Sequence, residues 1–402
     1  MGSLKYPCFV FNELAFLQEL DSLLLACKTY WNNYVIGYSV KTNSFPPLLK
    51  YIKSKGVDVE VVSEDEFDLV SKIGYKSKRI ICNGPIKDRS WIFKILDTNS
   101  ILNIDSKREL KYVCEYAELN TEKNIEVGLR VNFDFESYYP GECVCGSSGS
   151  RFGFSVEENE LYRAIDILSK VPNVRISGLH LHINTQTRRV EIYKLLVRKF
   201  AEIVSTFQLN DVKYLDIGGG FYGGISDKPK WNDYLSAIYE ELIAFNYKPE
   251  NLILVLEPGV SLIAGSFSYL TEVIDVKMTR RQRYVVLNGS RIHIDPLMHK
   301  SAYFYSIIKN EDRKGTSLKN VIDQELVGFT CLEKDRFFIL KDEPPLQEGD
   351  IVQFDKVGAY TMTLSPLFIS YFPPVYFRYA NGDDECMRKK WTVNEFIQLS
   401  EI

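Results

Sequence analysis

The chain has 402 residues, 45% of them apolar, enough to bury one large core and a smaller satellite; two domains are expected and disorder is a poor description. With 49 basic against 53 acidic residues, the net charge of -4 gives no electrostatic reason to expect nucleic acid or an anionic membrane surface as partner. The N-terminal MGSLKYPCFVF is too short for a signal core, no apolar run approaches spanning length, and eight scattered cysteines look like thiols rather than a disulfide framework, so a cytoplasmic protein is expected.

In chain order, the first strand-like run is CFVF at 8–11. From about residue 13 to 265, short apolar and β-branched runs then alternate with amphipathic stretches. The runs are YVIGYSV, RIICNG, NIEVGLRVNF, RISGLHLHI, VKYLDIGGG and NLILVLEPG, most of them ending in Gly, Asn, Pro or polar residues where a strand hands over to a loop. Between them lie segments such as SEDEFDLVSKIG and EENELYRAIDILSKV, with helical apolar spacing and acidic first turns. Repetition on this scale predicts an α/β fold, with a closed (β/α)8 barrel favoured over a doubly wound sheet and the chemistry at the C-terminal ends of the strands. Past residue 265 the helical pattern thins and TEVIDVKM, RYVVLNG, RFFILK and DIVQFDKV read as strands. A second, mainly antiparallel β domain over 266–402 is expected, joined by the N-terminal strand within 1–12.

Several strand ends carry residues suited to chemistry. Lys41, in GYSVKTNS, follows an apolar strand, where lost hydration would lower its pKa and free the amine for imine formation; alone, such a lysine is more often a solvated one. The glycines of LDIGGGF at 215–221 allow backbone N–H groups to approach a phosphate, or form only a tight turn. Glu257, in LEPG, is either a structural acid or a partner for a cofactor ring nitrogen. His180 and His182, in GLHLHINT, share one strand face. With no acid or cysteine arranged nearby in sequence, stacking on a cofactor ring is the better reading, and no metal is expected there or at the lone pair Cys143 and Cys145. In the β domain, GFTCLEKDRF at 328–337 and VGAYTMTLSPLF at 357–368 hold a cysteine and a tyrosine that alone would pass as packing residues.

Taken in order, Lys41, His182, glycines 218–220, EPG at 257–259, C-x-x-x-D at 331–335 and GAY at 358–360 resemble the fold-type III pyridoxal-phosphate decarboxylases, the family of diaminopimelate and ornithine decarboxylases. VVSEDE at 61–66, LNIDSKREL at 102–110 and SRFGF at 150–154 extend the resemblance over nearly the whole chain. It implies an alanine-racemase-like barrel followed by a β domain, a head-to-tail homodimer with shared sites, and pyridoxal phosphate as cofactor. By the same resemblance Lys41 is the Schiff-base lysine, Glu257 holds the pyridine nitrogen and His182 stacks on the ring. Thr185, Gly219, Gly220, Gly259 and Tyr360 surround the cofactor, mainly at its phosphate, and Cys331 reaches across the dimer as the acid that reprotonates the carbanion.

Departures from the family fall on substrate recognition. Val260 replaces the arginine of the usual EPGR, Leu332 follows Cys331 where the family has an acid, with Glu333 one residue later, and IDPLMH puts Asp295 where diaminopimelate decarboxylases carry an arginine for the distal carboxylate. A substrate other than meso-diaminopimelate is therefore expected: a basic amino acid, or an amino acid joined to a larger acyl or siderophore-like group or to a carrier. Glu333, Asp335, Asp295 and Arg291 are the candidate substrate residues. The competing readings are an amino-acid racemase, against which Glu257 argues, and a non-catalytic relative, which would have lost the lysine, the cysteine or the phosphate loop.

Overall fold

The computed structural model describes residues 4–310 and 323–401. It divides into two compact units, residues 19–262 and residues 1–18 with 263–402.

In the first unit eight parallel strands close on themselves: β1 (Tyr34–Ser39), β2 (Asp58–Val61), β3 (Ile80–Cys82), β4 (Ile101–Ile104), β5 (Ile125–Asn132), β6 (Val174–His180), β7 (Tyr214–Asp216) and β8 (Ile253–Leu256). Each pairs with the next in parallel register, and β8 returns to β1 through Leu254 opposite Tyr34, so no edge is left open. Local sequence explains the helices between them. Ser63, Asp88 and Ser106 cap helices Glu64–Ile73, Arg89–Thr98 and Lys107–Leu119, each accepting from the backbone N–H three residues on, and Gly74 ends the first of these in the left-handed conformation. The lower barrel interior is filled by Ile81, Tyr214 and Val255, with Val35, Ile101 and Ile253 against them.

The second unit is built on a nine-stranded sheet in which the N-terminal strand Cys8–Asn12 is central. It pairs antiparallel with Phe267–Thr279, Phe9 opposite Tyr269, and in parallel with Val375–Arg378, Phe9 opposite Val375. Its side chains are buried, and aromatic pairs stitch the three strands, Phe9 to Tyr269 at 4.8 Å and Phe11 to Phe377 at 4.5 Å between ring centroids. Strand Phe267–Thr279 shifts register between Val273 and Asp275, which lets its first half pair with Ile351–Asp355 and its second with Gln282–Leu287. Most pairings are antiparallel; Gln282–Leu287 with Gln324–Val327 adds a second parallel pair. The fold is a closed eight-stranded parallel barrel with a mixed sheet unit. Among the described residues, no helix is long and apolar enough to cross a membrane.

Candidate active site

Polar side chains converge at the C-terminal ends of the barrel strands. Lys41 stands just after β1, Glu60 on β2, Asn83 after β3, Asn103 on β4, His180 at the end of β6, Asp216 at the end of β7 and Glu257 just after β8. Lys41 Nζ donates to Glu60 Oε2 at 2.7 Å and to Ser39 Oγ at 2.8 Å, and Ser39 in turn donates to the same Glu60 oxygen at 2.7 Å. Asn83 Nδ2 donates to Glu257 Oε1 at 2.6 Å and to Glu60 Oε1 at 3.2 Å. Asn103 Nδ2 donates to Asn83 Oδ1 and to Asp216 Oδ2, both at 2.9 Å, and Tyr214 Oη donates to Asn103 Oδ1 at 2.9 Å. Three buried carboxyl groups and their donors thus form one connected network.

The electrostatics separate these acids. Burial alone would push Glu60 up, but the ion pair with Lys41 and the hydrogen bonds from Lys41, Ser39 and Asn83 hold it below the ordinary glutamate value. Asp216 and Glu257 share a hydrogen bond in a dry setting: burial raises Asp216 to about 7, and burial with the neighbouring charges of Asp216 and Glu60 raises Glu257 well above its usual range. Two carboxylates this close hold one proton between them, as like charges in low dielectric must. His180 Nε2 lies 3.6 Å from Glu257 Oε2, and burial keeps His180 neutral; neither of its ring nitrogens has a hydrogen-bond partner. Ligand atoms of His180, Asp216 and Glu257 lie within 4.8 Å of one another, an acid neighbourhood for this histidine that its sequence surroundings did not disclose.

The glycine turn lies against this cluster. Gly218 and Gly220 are left-handed, at φ of 67° and 85°. A Cβ on Gly218 would fall 2.6 Å from His182 Nδ1, and one on Gly219 would fall 2.4 Å from the Glu257 carbonyl oxygen. Only glycine lets this turn reach both residues. Tyr193 Oη donates to the Gly219 carbonyl at 3.0 Å and stacks on Phe221 at 4.6 Å, fixing the turn from behind. The Lys41 segment meets the EPG segment just as closely: Ser39 N donates to Pro258 O at 3.1 Å, and a Cβ on Gly259 would sit 2.2 Å from Thr42 Oγ1. His182 is brought down to about 3 by burial and by the charges of Arg130 and Lys41, which leaves a neutral imidazole. Its ring runs nearly parallel to that of His180, 14° between planes at 6.4 Å. Thr185 is buried and bridges to Cys143.

The barrel unit therefore gathers Lys41, His182, Gly219, Gly220, Glu257 and Gly259 at one end, with Thr185 in the loop that follows His182. A primary amine, a glycine turn and a deep carboxyl, with an unpartnered imidazole beside it, are the donor set that an aldehyde-bearing aromatic phosphate requires. The comparisons with known proteins agree. Residues 17–264 match the family described as pyridoxal-dependent decarboxylase, pyridoxal binding domain. The chain belongs to this family. It is a pyridoxal-phosphate-dependent carboxy-lyase.

Among relatives of this decarboxylase, the diaminopimelate decarboxylase of Aquifex aeolicus is 25% identical over 98% of this chain and 91% of its own length. The diaminopimelate decarboxylase of Haemophilus influenzae is 28% identical over 91% and 86%. The crystal structure of diaminopimelate decarboxylase from Methanocaldococcus jannaschii superposes with a TM-score of 0.86 at 22% identity, covering 99% of this chain and 93% of that one. That of the arginine decarboxylase of Paramecium bursaria Chlorella virus reaches 0.76 at 22% identity, over 93% and 96%.

The remaining sequence candidates of this decarboxylase lie in the sheet unit. Cys331 and Tyr360 are exposed, Tyr360 with a left-handed backbone at φ of 54°. Glu333 is 93% exposed and reaches Arg336 at 3.2 Å. Three of the expected substrate residues turn inward instead. Asp295 Oδ2 accepts from Arg291 at 2.7 and 2.9 Å, from Lys300 N and from Tyr303 Oη, while Oδ1 accepts from His299 N. Asp335 is buried, taking Ser290 Oγ, Arg291 N, Thr330 N and Thr330 Oγ1. Asp295, Asp335 and Arg291 thus spend their hydrogen-bonding capacity on bracing the 290–300 loop and tying it to the 330–336 loop, because an acid buried at a turn is stable only when its lone pairs are filled.

Sequence reasoning missed Glu60, Asn83, Asn103 and Asp216. Asn83 and Asp216 sit at the ends of apolar strand runs, Glu60 and Asn103 each interrupt one, and a polar residue in or at the end of a buried strand was the one signal available.

Proposed function

We propose that this decarboxylase acts on an amino acid other than meso-diaminopimelate: a basic amino acid such as lysine, ornithine or arginine, or an amino acid already joined to a larger acyl group or carrier. The observation that carries the reading is Asp295. It stands where the resemblance calls for an arginine, and its carboxylate is closed by Arg291 at 2.7 Å, so that segment offers a distal carboxylate no free cation. An uncompensated buried carboxylate costs several kcal/mol, roughly 3 to 5 by comparison with broken buried pairs. Val260 and Leu332 remove two further polar contacts. Relatives named for diaminopimelate and for arginine show that one architecture serves different side chains.

When bound, pyridoxal phosphate supplies the carbonyl that takes up the substrate amine and the ring that accepts the electron pair left by carbon dioxide. Lys41 would hold it through its amine, which Glu60 and Ser39 position. Glu257 would meet the ring nitrogen, and His182, neutral, would lie against the ring face. Gly219, Gly220, Thr185 and Tyr360 would receive the phosphate, and Gly259 lets the Lys41 segment pack closely on the EPG segment. Cys331 delivers a proton to the α carbon from a partner subunit, and Glu333 lies beside it for a distal amine. Support for a homodimer with shared sites is the exposure of Cys331 and Tyr360 together with apolar Leu332, Leu364, Leu367 and Ile369 in the same segments.

The test is carbon dioxide release by the cofactor-loaded protein across meso-diaminopimelate, lysine, ornithine, arginine and acylated amino acids. Release is expected from one of the last four classes, lost in Lys41→Ala and strongly reduced in Cys331→Ala. Faster turnover of meso-diaminopimelate than of every other compound sinks the proposal. Racemisation without gas release would sink the Cys331 assignment with it.

A further inference from the structure

Beneath Glu257 a hydrogen-bonded chain runs down the barrel interior to Tyr214, and its orientation can be derived link by link. Tyr214 lies across the barrel because two neighbouring strands carry glycine there. A Cβ on Gly178 would fall 2.1 Å from the Tyr214 ring, and one on Gly128 would fall 2.2 Å from its hydroxyl oxygen. Wedged in this slot, Tyr214 can aim its hydroxyl only upward, where it meets Asn103 Oδ1 at 2.9 Å. That bond decides which way the Asn103 amide faces. Its Nδ2 then points to Asn83 Oδ1 and Asp216 Oδ2, at 2.9 Å each. With Asn83 Oδ1 occupied by a donor, the Asn83 Nδ2 group must face the acids, and it reaches Glu257 Oε1 at 2.6 Å and Glu60 Oε1 at 3.2 Å. The opposite amide orientation would set a carbonyl oxygen against two carboxylates, so one tyrosine hydroxyl at the barrel floor fixes two amides above it.

We propose that Tyr214, Asn103 and Asn83 are positioning residues whose donor to Glu257 Oε1 opposes the burial that favours its protonated form, and so leaves Glu257 a hydrogen-bond acceptor toward the cofactor's ring nitrogen. This rests on the reading of Glu257 given above. The consequence for chemistry is direct. A carboxylate that accepts keeps the ring nitrogen protonated and the ring an electron sink, whereas a carboxylic acid that has taken its own proton donates to the nitrogen and removes the sink. If the Tyr214 hydroxyl is lost, Asn103 Oδ1 loses its donor and the two amides are held by the acids alone, so part of the population turns, and an Asn83 carbonyl facing Glu257 there forces the acid to hold its proton.

The experiment uses the full chain loaded with pyridoxal phosphate labelled with nitrogen-15 in the ring, read by nitrogen NMR and by the visible absorption of the lysine-bound cofactor. Tyr214→Phe keeps the ring that fills the barrel and deletes only the hydroxyl; Asn103→Leu breaks the chain one link higher. The parent is expected to show a protonated ring nitrogen. Tyr214→Phe is expected to move part of the population to the unprotonated form and lower kcat on the order of tenfold, the equivalent of one net hydrogen bond, with KM unchanged. Asn103→Leu is expected to move the population further. A protonated signal and parental kcat retained in Tyr214→Phe overturn the proposal, whether or not Asn103→Leu folds. A parent with no cofactor band that Lys41→Ala abolishes overturns the reading of the site itself, and this proposal with it.

Discussion

The two units treat their acids in opposite ways. In the barrel, Glu60, Asp216 and Glu257 are buried together, joined through Asn83 and Asn103 and facing one lysine, so their interactions with one another perturb every protonation state. In the sheet unit, Asp295 and Asp335 are also buried, yet each is saturated by donors, Asp295 from its own loop and Asp335 from its own loop and from Ser290 and Arg291, while Glu333, two residues past Cys331, stands in solvent. The contrast teaches how labour is divided. Mutual frustration among acids suits a site that must hold a cofactor's charge, and local saturation suits a loop that must simply hold its shape.

Changes in the barrel should strike chemistry, and changes in the sheet unit should strike stability. The largest effect is expected from Glu257→Gln, which keeps the shape and removes the carboxyl proposed to meet the ring nitrogen. A loss of roughly 10²- to 10³-fold in kcat is expected, comparable to removing one preorganised electrostatic contact, measured as carbon dioxide release at saturating substrate. An equal loss of thermal stability there would erase the contrast.

Asp295→Asn should do the reverse. It leaves Arg291 and two backbone N–H groups without their anion, at a cost of roughly 1 to 3 kcal/mol in a denaturant titration, with kcat changed less than severalfold. A large fall in kcat with stability intact would return Asp295 to the substrate residues.

The smallest effect separates the neutral histidine from its acids by pH. His182 takes a proton near 6.5 when unfolded but only at about 3 in the folded chain. The unfolded state therefore binds more protons below 6.5, and the folded state loses stability as pH falls through that window. His182→Gln lacks this loss. Relative to the parent, the variant without cofactor should gain roughly 1 kcal/mol between pH 6.5 and 5.5, because the unfolded imidazole is already half protonated at the upper end, seen in paired denaturant titrations. A difference that stays flat with pH would mean that His182 is not held neutral.

Much of this was readable in the chain. The strands of the barrel could be taken from apolar runs, and the Lys41, glycine and EPG motifs from the strand ends, because a tight left-handed turn at Gly218 or a residue at the mouth of a strand is a local matter. The substrate residues were less legible. Arg291 and Asp295 stand four apart and read as two charges free to meet a ligand, and only the turn between them makes each the other's partner.

The sequence by itself determined the architecture and the family, since periodicity, turn glycines and motif order are properties of neighbours along the chain. The tertiary structure alone decided the environment of those residues. Asn83 and Glu257 are separated by 174 positions and Asn103 and Asp216 by 113, yet each pair is in hydrogen-bond contact. Closing a barrel converges the strand ends on its axis, so which acids share a proton, and which amide holds them, is fixed by the ring of strands and by no spacing in the sequence.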